Sequence, residues 1–152
     1  TLLDNAFKKA RSCHLRTNLP SVADDTGLEV DALGGRPGVH SSRYAGESAT
    51  YEENCGKLVS EMKGVPFQKR TARFRCVAAF TDGAVELWTE GICEGVILES
   101  PRGENGFGYD PVFFVPGIGK TLAEMSLAEK NGISHRAIAF RRMAELLKKY
   151  KS

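Results

Sequence analysis

Two adjacent carboxylates, Asp24 and Asp25, follow directly on a short apolar run, Ser21-Val22-Ala23. Neighbouring carboxylates repel each other, and in a partly buried site they are costly without a cation. A hard divalent ion relieves that cost, and Mg²⁺ is commonly held by one or two carboxylates together with substrate phosphates. The stretch Asp24-Asp25-Thr26-Gly27 reads equally as an Asx turn and cap. These residues alone leave the two readings even.

Three further clusters carry residue types that do chemistry, and each falls in a loop or at an element end, where function concentrates. Gly34-Gly35-Arg36-Pro37-Gly38 runs on to Ser41-Ser42-Arg43-Tyr44. Glycine and serine bring backbone N–H groups to a phosphate and arginine pairs with it; the plainer reading is a flexible surface loop. Gly106-Phe107-Gly108-Tyr109-Asp110-Pro111 interleaves aromatics with glycine. That suits a flat ligand, because an exposed ring stacks on a base and glycine lets the backbone approach; a tight turn with core aromatics is the alternative. Lys130 and then Ser134-His135-Arg136 gather cations and an imidazole at a helix start. There, open backbone N–H groups favour an anion, unless Ser134 is only a cap and its neighbours face solvent.

The elements that must position these clusters follow from periodicity and turn chemistry. Residues 2–15 predict an amphipathic helix, with Leu2, Leu3, Ala6, Phe7, Ala10 and Cys13 on one face. Residues 21–23 predict a short strand, 24–27 a polar turn, and 28–33 a second short strand. Thr50 and Glu53 form a capping box for a helix that Gly64 stops. Ala72, Phe74, Cys76, Ala78 and Phe80 alternate along a strand, Asp82-Gly83 signals a hairpin turn, and 84–98 is the returning strand. Gly91 and Gly95 there predict bulges or bends. Residues 111–115 predict a short strand, and Thr121/Glu124 and Ser126/Glu129 are two more capping boxes. Ser134 caps a last helix whose stripe includes Ile138, Ala139, Met143, Ala144 and Leu147. Mixed helices and strands with one long hairpin predict an α/β domain around a long mixed sheet.

Composition sets the outer limits. With 152 residues, 41% apolar and 26% charged, the chain suits one domain, 1–152. No window approaches the eighteen or so apolar residues that a membrane helix needs, and no signal peptide is visible. The four cysteines stand singly, without zinc spacing, and read as reduced thiols of a cytoplasmic protein. Cys76 and Cys93 are expected in the core, and Cys13 and Cys55 on buried helical faces. A net charge of +2 argues against a nucleic-acid partner; Lys69, Arg70, Arg73 and Arg75 are expected on the charged outer face of a strand. Adjacent carboxylates point in different directions and cannot flank one glycosidic bond.

Taken together, the clusters resemble the inosine triphosphate pyrophosphatase family, which acts on noncanonical purine nucleoside triphosphates. The matching segments are residues 21–28, 33–46, 106–111, Lys130 and 133–136. Each alone is common; four in this order and spacing are specific, and they cover essentially the whole chain. The resemblance implies an elongated α/β fold with two lobes around a nucleotide cleft. It implies Mg²⁺-dependent hydrolysis of ITP, dITP or XTP to the monophosphate and pyrophosphate, which cleanses the nucleotide pool, and a homodimer. Carried over, Asp25 is the proton acceptor and a Mg²⁺ ligand, with Asp24 supporting metal or water. Thr26 contacts substrate, and Phe107 stacks on the purine with Gly108, Tyr109 and Asp110 completing that wall. Lys130, His135 and Arg136 close over base and phosphates. The family's first strand, its Ser/Thr-Gly-Asn loop and a further acidic ligand precede the helix that begins here. The expectation is therefore an N-terminally incomplete domain with an unpaired strand edge and reduced activity, or in the limit a nucleotide-binding module without catalysis.

Overall fold

Thr1 and Asp4 open the first helix with a capping box, the Asp4 N–H donating to the Thr1 hydroxyl at 3.1 Å. The computed structural model of the chain describes residues 1–151, and in it α1 spans Leu2–Thr17. Leu2, Ala6 and Ala10 form its buried stripe, but Cys13 is exposed, against expectation. The stripe ends one turn earlier than its periodicity suggests, so the thiol emerges into solvent.

The first strand differs most from the sequence reading. β1 runs unbroken over Ser21–Val30, straight through the residues expected to turn. The segment 31–33, expected as strand, is a short 3₁₀ turn. Polar composition suggests a turn because such residues usually seek water. Here the polar side chains find protein partners instead, and the backbone stays extended. Pro37–Gly38 (β2) is a two-residue strand within the expected loop, pairing antiparallel with β1 at Leu28↔Gly38. The remaining strands are β3 (Thr71–Thr81), β4 (Glu86–Ile97), β5 (Phe113–Val115) and β6 (Lys120–Thr121). All six form one sheet in the order β2-β1-β3-β4-β5-β6, with β4–β5 and β5–β6 antiparallel. The helices after α1 are α2 (Tyr51–Glu61), α3 (Leu127–Ile133) and α4 (His135–Lys151). The fold is α/β.

The chain divides into two compact units. The first comprises Thr1–Thr26, Arg75–Ile92 and Ile133–Ser152. Its core sets Cys76, Ala78 and Phe80 of β3 against Ala139 and Met143 of α4, with Leu87 and Leu147 at the margin. Burying side chains the size of Phe80 and Met143 contributes about 1.5–3 kcal/mol each. Gly91 allows α4 to lie close on β4: a Cβ there would stand 1.9 Å from the His135 carbonyl oxygen and 2.6 Å from the Ala139 nitrogen. Close backbone approach, rather than a bend, accounts for that glycine. The hairpin turn forms as expected, with Gly83 at φ 92° and Asp82 Oδ1 accepting the N–H groups of Ala84 and Val85.

The second unit comprises Gly27–Phe74 and Cys93–Gly132. Phe74 and Phe113 pack at 4.6 Å between ring centroids, and a Cβ on Gly95 would stand 2.5 Å from the Phe113 ring. Arg70 is not on an outer face. It is 2% exposed, and its guanidinium donates to the carbonyls of Ile97 (2.6 Å), Met62 (2.8 Å), Leu98 (3.0 Å) and Val65 (3.1 Å). The planar fork bridges the carbonyls that follow α2 and those at the end of β4, and the Met62 carbonyl also accepts from the Val65 N–H at 3.2 Å.

Candidate active site

Asp24 and Asp25 occupy consecutive positions on β1, and successive side chains of a strand point to opposite faces. Their partners divide accordingly within the first unit. Asp25 faces α1: its Oδ1 accepts from the Lys9 ammonium at 2.7 Å and its Oδ2 from the Asn5 amide at 3.0 Å. Lys9 also donates to the Asp24 carbonyl at 3.0 Å. Asp24 faces the first turn of α4, where Arg136 Nε donates to its Oδ2 at 3.1 Å. The Thr26 hydroxyl and the Cys76 thiol reach the same oxygen at 3.5 Å. The Cys76 thiol is pushed up to about 11, first by burial, so it stays a neutral donor.

Both carboxylates are partly buried, at 17% exposure for Asp25 and 24% for Asp24, and each carries a cation. Asn5 and Lys9 were not identified from sequence. Their signal was present: they stand four apart on α1 and so share one face, beside the buried stripe of Leu2, Ala6 and Ala10. Ser134 caps α4 as expected, accepting from the Ala137 N–H at 3.2 Å. His135, the first residue of α4, is 7% exposed, and its carbonyl lies against Gly91.

The second unit gathers Phe107, Gly108, Tyr109, Asp110 and Lys130. Asp110 is 3% exposed, and its Oδ2 accepts from the Lys130 ammonium at 2.5 Å and the Phe107 N–H at 3.1 Å. The pair fixes the loop from below. Gly106, at φ 76°, is required there, since a Cβ would come within 2.2 Å of Asp110 Oδ2. Lys130 reaches Asp110 from α3, and its ammonium lies over the Phe107 ring, 4.6 Å from the centroid. The Phe107 ring is half exposed, as stacking on a ligand requires. Tyr109 belongs to the core: its hydroxyl donates to the Ser41 carbonyl at 2.6 Å, and burial pushes its phenol above the usual range. The Cys55 thiol donates to the Gly108 carbonyl at 3.2 Å and is pushed up to about 11 by burial.

The Gly34–Tyr44 stretch is stitched to its surroundings. Ser41 Oγ accepts from the Leu28 N–H at 2.9 Å and donates to the Gly38 carbonyl at 2.6 Å. Tyr44 donates to Glu61.

Among the described residues no three His, Cys, Asp or Glu side chains come together to hold a metal. Mg²⁺ needs fewer protein ligands where phosphates supply the rest. Carboxylates such as those of Asp25 and Asp24 are hard oxygen ligands of that kind, and in this structure they pair with Lys9 and Arg136.

Residues 1–146 match the sequence pattern of the Ham1 family. The chain belongs to this family. A Ham1 relative from Caldanaerobacter subterraneus subsp. tengcongensis, named dITP/XTP pyrophosphatase, is 54% identical over 98% of this chain and 75% of its own length. One of the same name from Bacillus subtilis is 50% identical over 97% of this chain and 75% of its own. The solved structure of a Ham1 protein from Coxiella burnetii superposes with a TM-score of 0.92 at 43% identity, covering 98% of this chain and 77% of that one. The resemblance drawn from the four motifs therefore holds, and the α/β fold is that of solved Ham1 proteins.

Proposed function

We propose that this protein hydrolyses deaminated purine nucleoside triphosphates (ITP, dITP and XTP) to the monophosphate and pyrophosphate, cleansing the nucleotide pool. The observation that carries the reading is Asp25, oriented through both oxygens by Asn5 and Lys9, in a chain of the Ham1 family. Water attacks the α-phosphorus, the bond from that phosphorus to the bridging oxygen breaks, and pyrophosphate leaves. Asp25 orients the attacking water and accepts its proton. Asp25, with Asp24 in support, would hold Mg²⁺ together with phosphate oxygens, and the metal would supply charge neutralisation at the leaving group. Arg136, Lys9 and Thr26 hold the carboxylates in place and bind phosphate. His135 sets the first turn of α4 from which Arg136 projects.

In the second unit Phe107 stacks on the base beside Gly108, while Tyr109 and Asp110, buried beneath the loop, hold that platform from the core rather than forming its wall. Lys130, beside that ring, donates to the oxygen at purine position 6. An ammonium has donors only, so it satisfies the carbonyl of hypoxanthine or xanthine but not the amine of adenine. A mispaired polar group of this kind gives discrimination of roughly a hundredfold. The reading also carries a homodimer working in the cytoplasm. No helix among the described residues is long and apolar enough to cross a membrane; a monomer mass by light scattering would remove the dimer.

The test is pyrophosphate release from ITP, dITP, XTP, ATP and GTP, with Mg²⁺ and after its removal by chelation, for the wild type and Asp25→Asn. Selective release from ITP, dITP and XTP, lost in the variant and on chelation, is expected. Release of inorganic phosphate alone would mean that another bond is cut. Nucleotide binding without turnover would leave a binding module.

A further inference from the structure

We propose that Tyr51 is a specificity-determining residue of the base site, packing against the same flat purine that stacks on Phe107. This rests on the reading above of Phe107 as the base platform. The two rings lie 6.2 Å apart between centroids and are tilted by 43°. Both are exposed, Tyr51 at 60% and Phe107 at 51%. Two large aromatics open to water side by side leave an apolar corner that a flat ligand can cover.

The corner is built by the fold rather than by chance contact of mobile side chains. Tyr51 is the first residue of α2, directly after Thr50, whose hydroxyl accepts from the Glu53 N–H at 3.1 Å while Glu53 accepts from the Thr50 N–H at 2.7 Å. That capping box fixes the helix end. One turn on, the Cys55 thiol bonds the Gly108 carbonyl, so the same helix grips the aromatic loop at a second point. Asp110 and Lys130 fix Phe107 from the loop's other end. Tyr51 has no core role, being 60% exposed.

The chemistry selects a fused two-ring base. A purine stacked on Phe107 extends far enough to reach a second, tilted ring, whereas a single-ring pyrimidine covers Phe107 alone. Stacking of a base on one aromatic side chain changes affinity by about tenfold. Tyr51 therefore adds to purine binding and nothing to pyrimidine binding.

The experiment measures equilibrium binding of IMP and CMP by calorimetry, and KM and kcat for ITP, in the wild type, Tyr51→Ala, Tyr51→Phe and Phe107→Ala. Leu15→Ala, exposed on α1, serves as a remote control. Tyr51→Ala is expected to weaken IMP about tenfold, to raise KM more than it lowers kcat, and to leave CMP where it was; Tyr51→Phe recovers most of the loss. IMP binding by Tyr51→Ala equal to wild type overturns the inference, as does an equal loss for IMP and CMP. If Phe107→Ala weakens IMP and Tyr51→Ala does not, the inference alone fails. If Phe107→Ala also has no effect, the platform reading fails with it.

Discussion

Replacing Lys130 by Met removes one ammonium and keeps most of the aliphatic stem. Asp110, at 4% side-chain exposure, would then keep only the Phe107 N–H as its partner. Lys130 is itself only 13% exposed, and the two groups are 2.5 Å apart, so solvent screens the pair little. Breaking a buried pair by removing one partner typically costs about 3–5 kcal/mol, because the other charge stays behind unpaired. For a chain of this length each kcal/mol lowers the melting temperature by about 2–4 °C, so Lys130→Met should melt about 6–20 °C below wild type. The paired variant Lys130→Met/Asp110→Asn leaves a neutral amide that still accepts from Phe107. It should be more stable than the sum of the single variants by about 1–3 kcal/mol. Urea unfolding followed by circular dichroism measures all four proteins. A shift under about 2 °C for Lys130→Met, below 1 kcal/mol, or simple additivity in the cycle, would refute the claim that this pair fixes the Phe107 loop.

Gly91→Ala places a methyl 1.9 Å from the His135 carbonyl oxygen, so α4 must move off β4 and carry Arg136 away from Asp24. A cost of about 1–3 kcal/mol or more and a fall in kcat are expected together; a stable variant with normal turnover would contradict the packing. Arg70→Met removes the guanidinium from four carbonyls, of which Met62 keeps the Val65 N–H, and thermal unfolding should show a loss of about 3 kcal/mol; Arg70→Lys recovers only part, since a point ammonium cannot span both groups. Asp82 is held at about 2, below its ordinary 3.8, first by the Tyr150 hydroxyl and then by the Val85 and Ala84 N–H groups. A depressed carboxylate contributes stability that is present above its ordinary value and lost as pH falls through the folded one. Asp82→Asn should therefore flatten the acid limb between about pH 4 and pH 2, measured by melting temperature against pH; an unchanged limb would refute it.

Local chemistry determined much of this protein directly. The capping boxes at Thr50, Thr121 and Ser126, the turn at Asp82-Gly83 and the alternating face of β3 form as their residue types require. Each depends on neighbours a few positions away, so it is legible without the fold. The four motif clusters were legible for the same reason, and their order along the chain was enough to suggest the family. What the fold decided was who meets whom across long sequence separations. Asp24 and Asp25 lie on a strand because Asn5, Lys9 and Arg136 satisfy their side chains, and those partners stand 16 to 112 residues away. Arg70 looked like a surface cation because nothing local shows that two separated sets of carbonyls converge on it. Gly91 looked like a bend because the helix that needs its missing Cβ arrives more than forty residues later. Sequence carries the donors, acceptors and turns; only the packed chain determines which long-range pairs relieve the cost of burying them.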